Sequence, residues 1–229
     1  MTLQDILEKI HALYEGDTSY PSEGSEDWNF RLKLVNNAID EWAYVEGVYW
    51  KELFKNLSDA TDGDKTATTS TTAYNAPSDF RFISSFVQIT DSNGSKTLYG
   101  MVRPDEVLKT QKTTPSSKVF YITGNPSTGY KINILNPIDG TISYSYYKTP
   151  ASLSSSTDKP EMSNPMYIVY SVVAQLYELD NRNDLVGKYL NLAKQAMDQM
   201  VIENETKPFY NPDGIEDLNY ELYGATFGE

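Results

Sequence analysis

The side chains that could do chemistry in this chain are limited in type. Among its 229 residues there is no cysteine and a single histidine, His11. Disulfide scaffolds, thiolate zinc sites and cysteine nucleophiles are therefore excluded together, and histidine-rich metal centres almost entirely. Because His11 falls within a regular amphipathic pattern, it is predicted to be a helical residue, either on the helix surface or in a helix-packing contact, rather than a catalytic base.

Carboxylates are the remaining catalytic candidates, since a glycosidase needs only two of them. Asp40 and Glu41 are adjacent on a predicted helix and point away from one another. Four more stand beside predicted strands, where polar turn residues are expected in any case: Asp79, Asp105, Glu106 and Asp139. We therefore predict that the protein is not an enzyme and has no catalytic residue and no cofactor.

A metal site is not predicted either. Asp59, Asp62 and Asp64 surround Gly63 in a way that suggests a calcium loop. Aligning Gly63 with the glycine of such a loop puts Thr69 where the bidentate glutamate belongs, so the template fails. A polar turn is the predicted structure.

Phosphate and nucleic-acid recognition have little support. Segment 124–129 contains glycines, but Pro126 stands where a phosphate loop needs a backbone donor, and a hairpin loop is predicted instead. Nineteen basic and thirty-two acidic residues give a net charge of −13, and the basic residues are not clustered. This balance argues against general DNA binding, although it does not exclude a protein past which DNA moves.

Helical patterns occupy both ends of the chain. Residues 1–56 are predicted to form helices capped by Thr2 and Ser25, and residues 160–205 a helical hairpin that begins near Pro165. Four apolar stripes follow: Leu3, Ile6, Ile10 and Leu13; Trp28, Leu32, Val35, Ile39, Trp42, Tyr49 and Leu53; Val169, Val173 and Leu176; and Leu185, Tyr189, Leu192, Ala196 and Met200. Each stripe needs a partner, so the two ends are predicted to pack on each other as one helical bundle frame.

Residues 66–149 are predicted to form an inserted antiparallel β domain, a small sandwich or barrel. Sixteen of the twenty threonines lie between positions 57 and 160, and apolar residues alternate there with polar ones, as in Phe80–Arg81–Phe82. Asn93–Gly94 and Asp139–Gly140 are predicted hairpin turns, and a short helix is predicted near positions 104–108. The predicted fold class is therefore α+β.

Residues 206–229 are predicted to form an extended C-terminal arm without a core of its own. Pro208, Pro212 and Gly214 disfavour a helix that would bury apolar side chains on the same subunit. The arm nevertheless carries five large aromatic residues, which we predict to contact a neighbouring chain: Phe209, Tyr210, Tyr220, Tyr223 and Phe227. The eighteen tyrosines of the whole chain suit both interfaces and strands, and the composition does not choose between them.

No apolar run approaches the roughly 20 residues of a membrane span. The segment Met1–Ile10 also lacks the basic-then-apolar order of a signal peptide. We therefore expect a soluble compartment and no membrane partner.

Several short motifs resemble those of tailed-bacteriophage head-to-tail adaptor proteins, also called connector or head completion proteins. The run Ala73-Tyr74-Asn75-Ala76-Pro77-Ser78-Asp79-Phe80 is similar to the start of the β-insertion in that family. The segments Leu3–Leu7 and Asn37–Trp42, and the closing hairpin from Pro165 through Tyr189–Ala193 to Met200, resemble its helical frame.

The resemblance implies a structural virion protein, assembled in the host cytoplasm. It implies a ring of identical subunits, expected to be a dodecamer, in the neck of the virion. This ring would connect the portal of the head to the tail and line the channel through which DNA is ejected. Its partners would be copies of itself, the portal and tail or neck proteins, with DNA passing without sequence-specific binding. Acidic helices suit such a channel because carboxylates repel phosphates, although solubility alone also explains the acidity.

Two other classes of function remain open. A carbohydrate-binding or adhesive tail module would use the aromatic residues of the β-insertion as a stacking platform. A glycan hydrolase would use two of the carboxylates.

Overall fold

The computed structural model describes residues 1–17, 19–84 and 86–205. Within these ranges the chain is α+β, with five α-helices and ten β-strands. The helices are α1 (Leu3–Tyr14), α2 (Glu26–Ala43), α3 (Val107–Thr113), α4 (Met166–Leu179) and α5 (Asn183–Glu205). The strands are β1 (Phe54–Asn56), β2 (Thr66–Ala67), β3 (Ala73–Asn75), β4 (Phe80–Ile83), β5 (Val87–Thr90), β6 (Lys96–Met101), β7 (Val119–Asn125), β8 (Gly129–Ile134), β9 (Gly140–Ser143) and β10 (Ser145–Lys148). None of the helices in these ranges has the length and apolar character needed to cross a membrane.

The first two helices begin at the predicted caps. The Thr2 hydroxyl accepts from the Asp5 amide at 3.2 Å, and the Asp5 carboxylate accepts from the Thr2 amide at 2.8 Å, which together make a capping box. The Ser25 hydroxyl accepts from the Trp28 amide at 3.2 Å. Each cap satisfies an amide that the first turn of a helix leaves without a partner.

The predicted helical register fails beyond residue 43. Helix α2 ends at Ala43, and Gly47 adopts a left-handed φ of +78° that a helix cannot contain. The chain then forms 3-10 turns around strand β1. Leu53 is still buried, but Tyr49 is exposed and so is Leu13 of the first stripe.

The four long helices pack around one cluster of buried residues. Helix α4 contacts α1, α2 and α5. The predicted stripes on α2 and α4 both lie in this cluster, and Trp42, Val169 and Val173 are fully buried. Leu153 and Met162, from the connection before α4, complete it.

The strands form two sheets that share a second buried cluster. The smaller sheet has the order β1-β10-β4, and the larger has the order β2-β9-β5-β6-β7-β8-β3. The cluster includes Phe80 and Tyr146 from the smaller sheet and Ile89, Phe120 and Ile132 from the larger. Ile132, Ile134, Tyr144 and Tyr146 are buried as their alternation predicts.

Two features of the β-region differ from the prediction. Strands β6 and β7 pair in parallel, because the chain crosses over through α3 between them, so the insertion is not antiparallel throughout. Asp139–Gly140 does not form a hairpin turn. Gly140 begins β9, whose partners are β2 and β5, while Asn93–Gly94 does connect the antiparallel strands β5 and β6.

Candidate assembly surface

Three aromatic side chains form a row across the smaller sheet. Phe54 of β1 and Phe82 of β4 are both paired in register with Tyr147 of the central strand β10. The Tyr147 ring centroid lies 5.5 Å from that of Phe54 and 4.9 Å from that of Phe82. Tyr49 covers the row, with its ring 5.6 Å from both Phe82 and Tyr147. We call these four residues the aromatic face.

The row exists because a β-bulge breaks the alternation of β4. Tyr147 pairs with Phe82, but the next residue, Lys148, pairs with Phe80, so Arg81 is the extra residue on β4. Phe80 therefore points into the buried cluster, where its ring stacks on Tyr146 at 5.6 Å. Phe82 joins the opposite face of the sheet, although the sequence pattern places it on the same face as Phe80.

The aromatic face is open to solvent at its outer members. Tyr49 is 60% exposed and Phe54 is 45% exposed, while Phe82 and Tyr147 are half-buried. Contiguous exposed aromatic surface is uncommon on monomeric proteins and is typical of sites that bind a partner. The face is thus the candidate contact surface of the described chain.

Arg81 joins this sheet to the helices. Its Nη1 donates to the backbone oxygen of Ala43, the last residue of α2, at 2.8 Å. Its guanidinium lies 4.1 Å from the ring centroid of Tyr44 and 5.3 Å from that of Phe82. A cation at the negative end of a helix and over two rings is favourable on both counts.

The end of α5 is fixed beside the aromatic face. The Asn204 side chain accepts from the Lys51 amide and donates to the Tyr49 backbone oxygen, both at 2.9 Å. Lys51 Nζ also donates to the Glu203 backbone oxygen at 3.4 Å. The chain therefore reaches residue 205 next to Tyr49.

Asp79, which immediately precedes β4, connects the three strands of the smaller sheet through its side chain. It accepts from the Tyr146 hydroxyl at 2.7 Å and from Lys55 Nζ at 3.0 Å, so it ties β4 to β10 and β1. Burial raises the pKa of Tyr146, and the hydrogen bond to Asp79 raises it further. Asp79 is one of the residues of the adaptor-like run Ala73–Phe80, and its contacts here are structural.

His11 belongs to a buried polar network rather than to a catalytic one. Arg31 Nη1 lies 3.0 Å from His11 Nδ1, and His11 Nε2 lies 2.7 Å from Asp17 Oδ1. Because a guanidinium only donates, Nδ1 must accept, and the His11 proton sits on Nε2 and points to Asp17. Hydrogen bonds from Ser19 and from His11 lower the pKa of Asp17.

The other acidic candidates also have local roles. Asp62 accepts from the Ser78 amide at 3.1 Å, and Asp64 accepts from the Asn75 amide at 2.5 Å, as in a polar turn. In the part of the chain that the structure describes, no group of three or more His, Cys, Asp or Glu side chains is placed to hold a metal.

A cavity of about 240 Å³ lies between α3 and the edge of the larger sheet. Gln111, Asn133 and Asn136 supply amides to its lining, together with Thr72, Tyr121 and apolar residues. Since no carboxylate lines it, this cavity has no general acid or base of the glycosidase kind.

The five aromatic residues predicted to contact a neighbour, Phe209, Tyr210, Tyr220, Tyr223 and Phe227, lie outside the described residues. The structure reveals instead the aromatic face, which sequence reasoning missed. Phe54, Phe82 and Tyr147 are aromatic residues in predicted strands or helices, but only the pairing register brings them together.

Comparison with known proteins identifies a family to which this chain is similar. No curated protein matches the chain. The family model described as SU10 adaptor protein matches residues 1–214, nearly the whole length. Because the match covers far more than half of the chain, the chain belongs to the SU10 adaptor protein family, a family of phage head-to-tail adaptors.

Proposed function

We propose that the protein forms a ring of identical subunits, a dodecamer, that connects the portal of a phage head to the tail. The family membership supports an adaptor role, and the aromatic face supplies the observation that carries the proposal of a ring. Each contact in a ring is heterologous, so the same patch of every subunit is buried against a different patch of its neighbour. In this proposal the aromatic face contacts the adjacent copy.

Residues 1–56 and 160–205 are the proposed helical frame, residues 66–149 the proposed inserted β domain and residues 206–229 the proposed arm. The frame segments are acidic, with eleven acidic and five basic residues in 1–56. We place this acidity along a channel through which DNA is ejected, where carboxylates keep phosphates from adhering. The aromatic residues Phe209, Tyr210, Tyr220, Tyr223 and Phe227 contact a neighbouring adaptor or portal chain in the assembled neck.

Removal of the protein from its phage tests the proposal. Heads should fill with DNA and remain tailless, and supplying the wild-type chain should restore tails. The double variant Tyr49→Ser, Phe54→Ser should fail to restore them, because it removes the exposed part of the aromatic face. Leu108→Ser, at a residue that is 79% exposed on α3, is the matched control and should restore tails fully. Tailed particles without the protein would contradict the adaptor role.

Glycan binding is the competing function, because exposed aromatic rings also stack on sugars. If the protein were a carbohydrate-binding module, a single unassembled subunit would bind sugars through the aromatic face. Binding of the purified subunit to a glycan array, lost in the Tyr49→Ser, Phe54→Ser variant, would favour that function over the proposed ring contact.

A further inference from the structure

We infer that Asn93 is a site of spontaneous deamidation, at which the folded protein converts this asparagine into a mixture of aspartate and isoaspartate. Asn93 and Gly94 lie in the exposed turn between β5 and β6. Water is the co-reactant, and no enzyme or cofactor is required. The inference concerns the covalent chemistry of this turn and therefore goes beyond the proposed function.

The reaction begins at the peptide nitrogen of Gly94. After losing its proton to hydroxide or another base, this nitrogen attacks Cγ of the Asn93 side chain, so that an N–Cγ bond forms. The Cγ–Nδ2 bond breaks, and Nδ2 takes up a proton and leaves as ammonia. Water then opens the resulting succinimide ring, at Cγ to give aspartate or at the main-chain carbonyl carbon of Asn93 to give isoaspartate.

The structure leaves both reacting groups accessible. Both residues are exposed, and within the described ranges the Asn93 side chain forms no hydrogen bond. Gly94 has a left-handed φ of +83°, and a Cβ built on it would meet nothing within 4 Å, so the described part of the chain does not crowd this turn. The Gly94 amide donates to the Asp91 backbone oxygen at 3.1 Å, but a bond in an exposed turn opens readily by local fluctuation.

The pair Asp139–Gly140, which could form the same ring by losing water, is held by other elements. Asp139 Oδ1 accepts from the Thr69 amide at 2.6 Å. Gly140 lies in β9, where a Cβ would lie 2.2 Å from the Thr90 backbone oxygen. Exposure and freedom from packing, rather than the following glycine alone, therefore distinguish Asn93.

Conversion replaces a neutral amide by a carboxylate and adds one negative charge beside Asp91. Asp91 Oδ1 accepts from the amides of Asn93 and Ser95, at 2.8 and 2.9 Å, and these bonds close the turn. A like charge next to this carboxylate is unfavourable, and isoaspartate also lengthens the main chain by one methylene. The converted subunit is therefore more acidic, and its turn is less firmly closed.

Peptide mapping of the folded, full-length protein tests the inference. The protein is incubated at mildly alkaline pH in water labelled with heavy oxygen and is then digested with trypsin in ordinary water, so that the label marks conversion before digestion. Cleavage after Arg81 and Lys96 releases peptide 82–96, in which Asn93 is the only asparagine. This peptide should take up heavy oxygen, show the mass change from amide to acid, and separate into two forms of equal mass.

Peptide 132–148 from the same digest is the internal control. Its Asn133 Nδ2 donates to Thr123 Oγ1 at 2.9 Å. Its Asn136 is followed by Pro137, whose nitrogen carries no proton and cannot attack. This peptide should keep its mass throughout the incubation.

Two variants test the chemistry at the turn. Asn93→Gln should abolish conversion of peptide 82–96, because the longer side chain disfavours ring closure. Gly94→Ala should slow conversion several-fold, because a side chain at this position hinders the attack. Absence of labelled conversion in the folded wild type, equal conversion of peptides 82–96 and 132–148, or undiminished conversion in either variant would overturn the inference.

Discussion

The Arg31 side chain shows how a polar group is accommodated among the helices. Arg31 is only 6% exposed, and its guanidinium donates to His11 Nδ1 at 3.0 Å and to Glu15 Oε1 at 3.4 Å. A buried cation needs such partners, because burial without them costs several kcal/mol. The network therefore links α2 to the C-terminal end of α1 rather than supplying a reactive group.

Arg31→Met should lower the free energy of unfolding by about 2 kcal/mol, because it leaves the buried His11 Nδ1 without a donor. Urea denaturation followed by far-UV circular dichroism measures the change. Lys33→Met, at an exposed position two residues along α2, is the control and should stay within about 0.5 kcal/mol of the wild type. Equal stability of the two variants would show that the network contributes nothing.

Asp158 makes the stability of the connection before α4 depend on pH. Its carboxylate accepts from the amides of Ser155 and Ser154, each at 2.8 Å, and these bonds lower its pKa below the ordinary 3.8. A lowered pKa in the folded state stabilises the fold above the unfolded value, and this stabilisation is lost as the pH falls through the folded value. Asp5 behaves in the same way through its bonds to Thr2.

The urea midpoint should therefore change little between pH 7 and about pH 5 and should fall at lower pH. Asp158→Asn should be less stable at pH 7 and should show a shallower fall below about pH 5, because one contributing carboxylate is gone. Asp198→Asn, on the exposed side of α5, controls for the loss of one negative charge. An Asp158→Asn profile parallel to the wild type would refute this role.

Among the elements, α2 is held by a pair of tryptophans. Trp42 is fully buried, its ring stacks on Trp50 at 5.2 Å, and Trp50 Nε1 donates to the Trp42 backbone oxygen at 2.7 Å. Trp50 lies in the turn after the helix, so the pair fixes the chain where it leaves α2 for the smaller sheet. Trp42 Nε1 itself is buried without a hydrogen-bond partner among the described residues.

Trp42→Ala should lower the free energy of unfolding by about 3–5 kcal/mol, because it leaves a large cavity among the helices. Trp42→Phe should cost less, since it keeps much of the apolar volume and removes the unpaired Nε1. Chemical denaturation of both variants gives the comparison. A Phe variant as unstable as the Ala variant would indicate that the indole nitrogen has a partner.

Two glycines of the β-region should respond differently to a methyl group. A Cβ on Gly140 would lie 2.2 Å from the Thr90 backbone oxygen, whereas a Cβ on Gly94, at φ +83°, would meet nothing within 4 Å. Gly140→Ala must therefore push β9 away from β5, while Gly94→Ala costs about 1 kcal/mol of local strain at an exposed turn. We expect Gly140→Ala to be clearly the less stable of the two in urea, with the α-helices intact in Gly94→Ala. The reverse order would mean that the β5–β9 pairing is not as described.

The sequence predicts well where one local rule determines the structure. Thr2 and Ser25 cap their helices because a side-chain oxygen satisfies a free amide. Gly94 allows the hairpin turn because glycine tolerates a positive φ. Such features depend on residues within a few positions of each other. The helix starts and the β5–β6 hairpin are therefore predicted correctly.

Features that depend on distant pairing are not predictable in this way. Phe82 and Phe80 lie on opposite faces of the sheet because the bulge opposite Tyr147 and Lys148 inserts one residue. The alternation of β4 alone does not predict this bulge. The parallel pairing of β6 with β7 depends on the crossover through α3. The aromatic face combines three strands and a turn, so its members could be recognised only once the register was known.

At the scale of the whole molecule, two buried clusters meet at the smaller sheet. Tyr146 belongs to the cluster of the sheets, while Tyr147, the next residue, packs against the cluster of the helices. Arg81 adds a hydrogen bond from the same sheet to the end of α2. The aromatic face lies at this junction, so a partner bound there would lie next to both the helices and the sheets.

Cryo-electron microscopy of the intact phage neck tests the adaptor role most directly. We expect a ring of twelve copies with the described fold between the portal and the tail, with the aromatic face of each copy against its neighbour. Density for this fold in a tail fibre or at the distal tail tip, and none beneath the portal, would contradict the adaptor role.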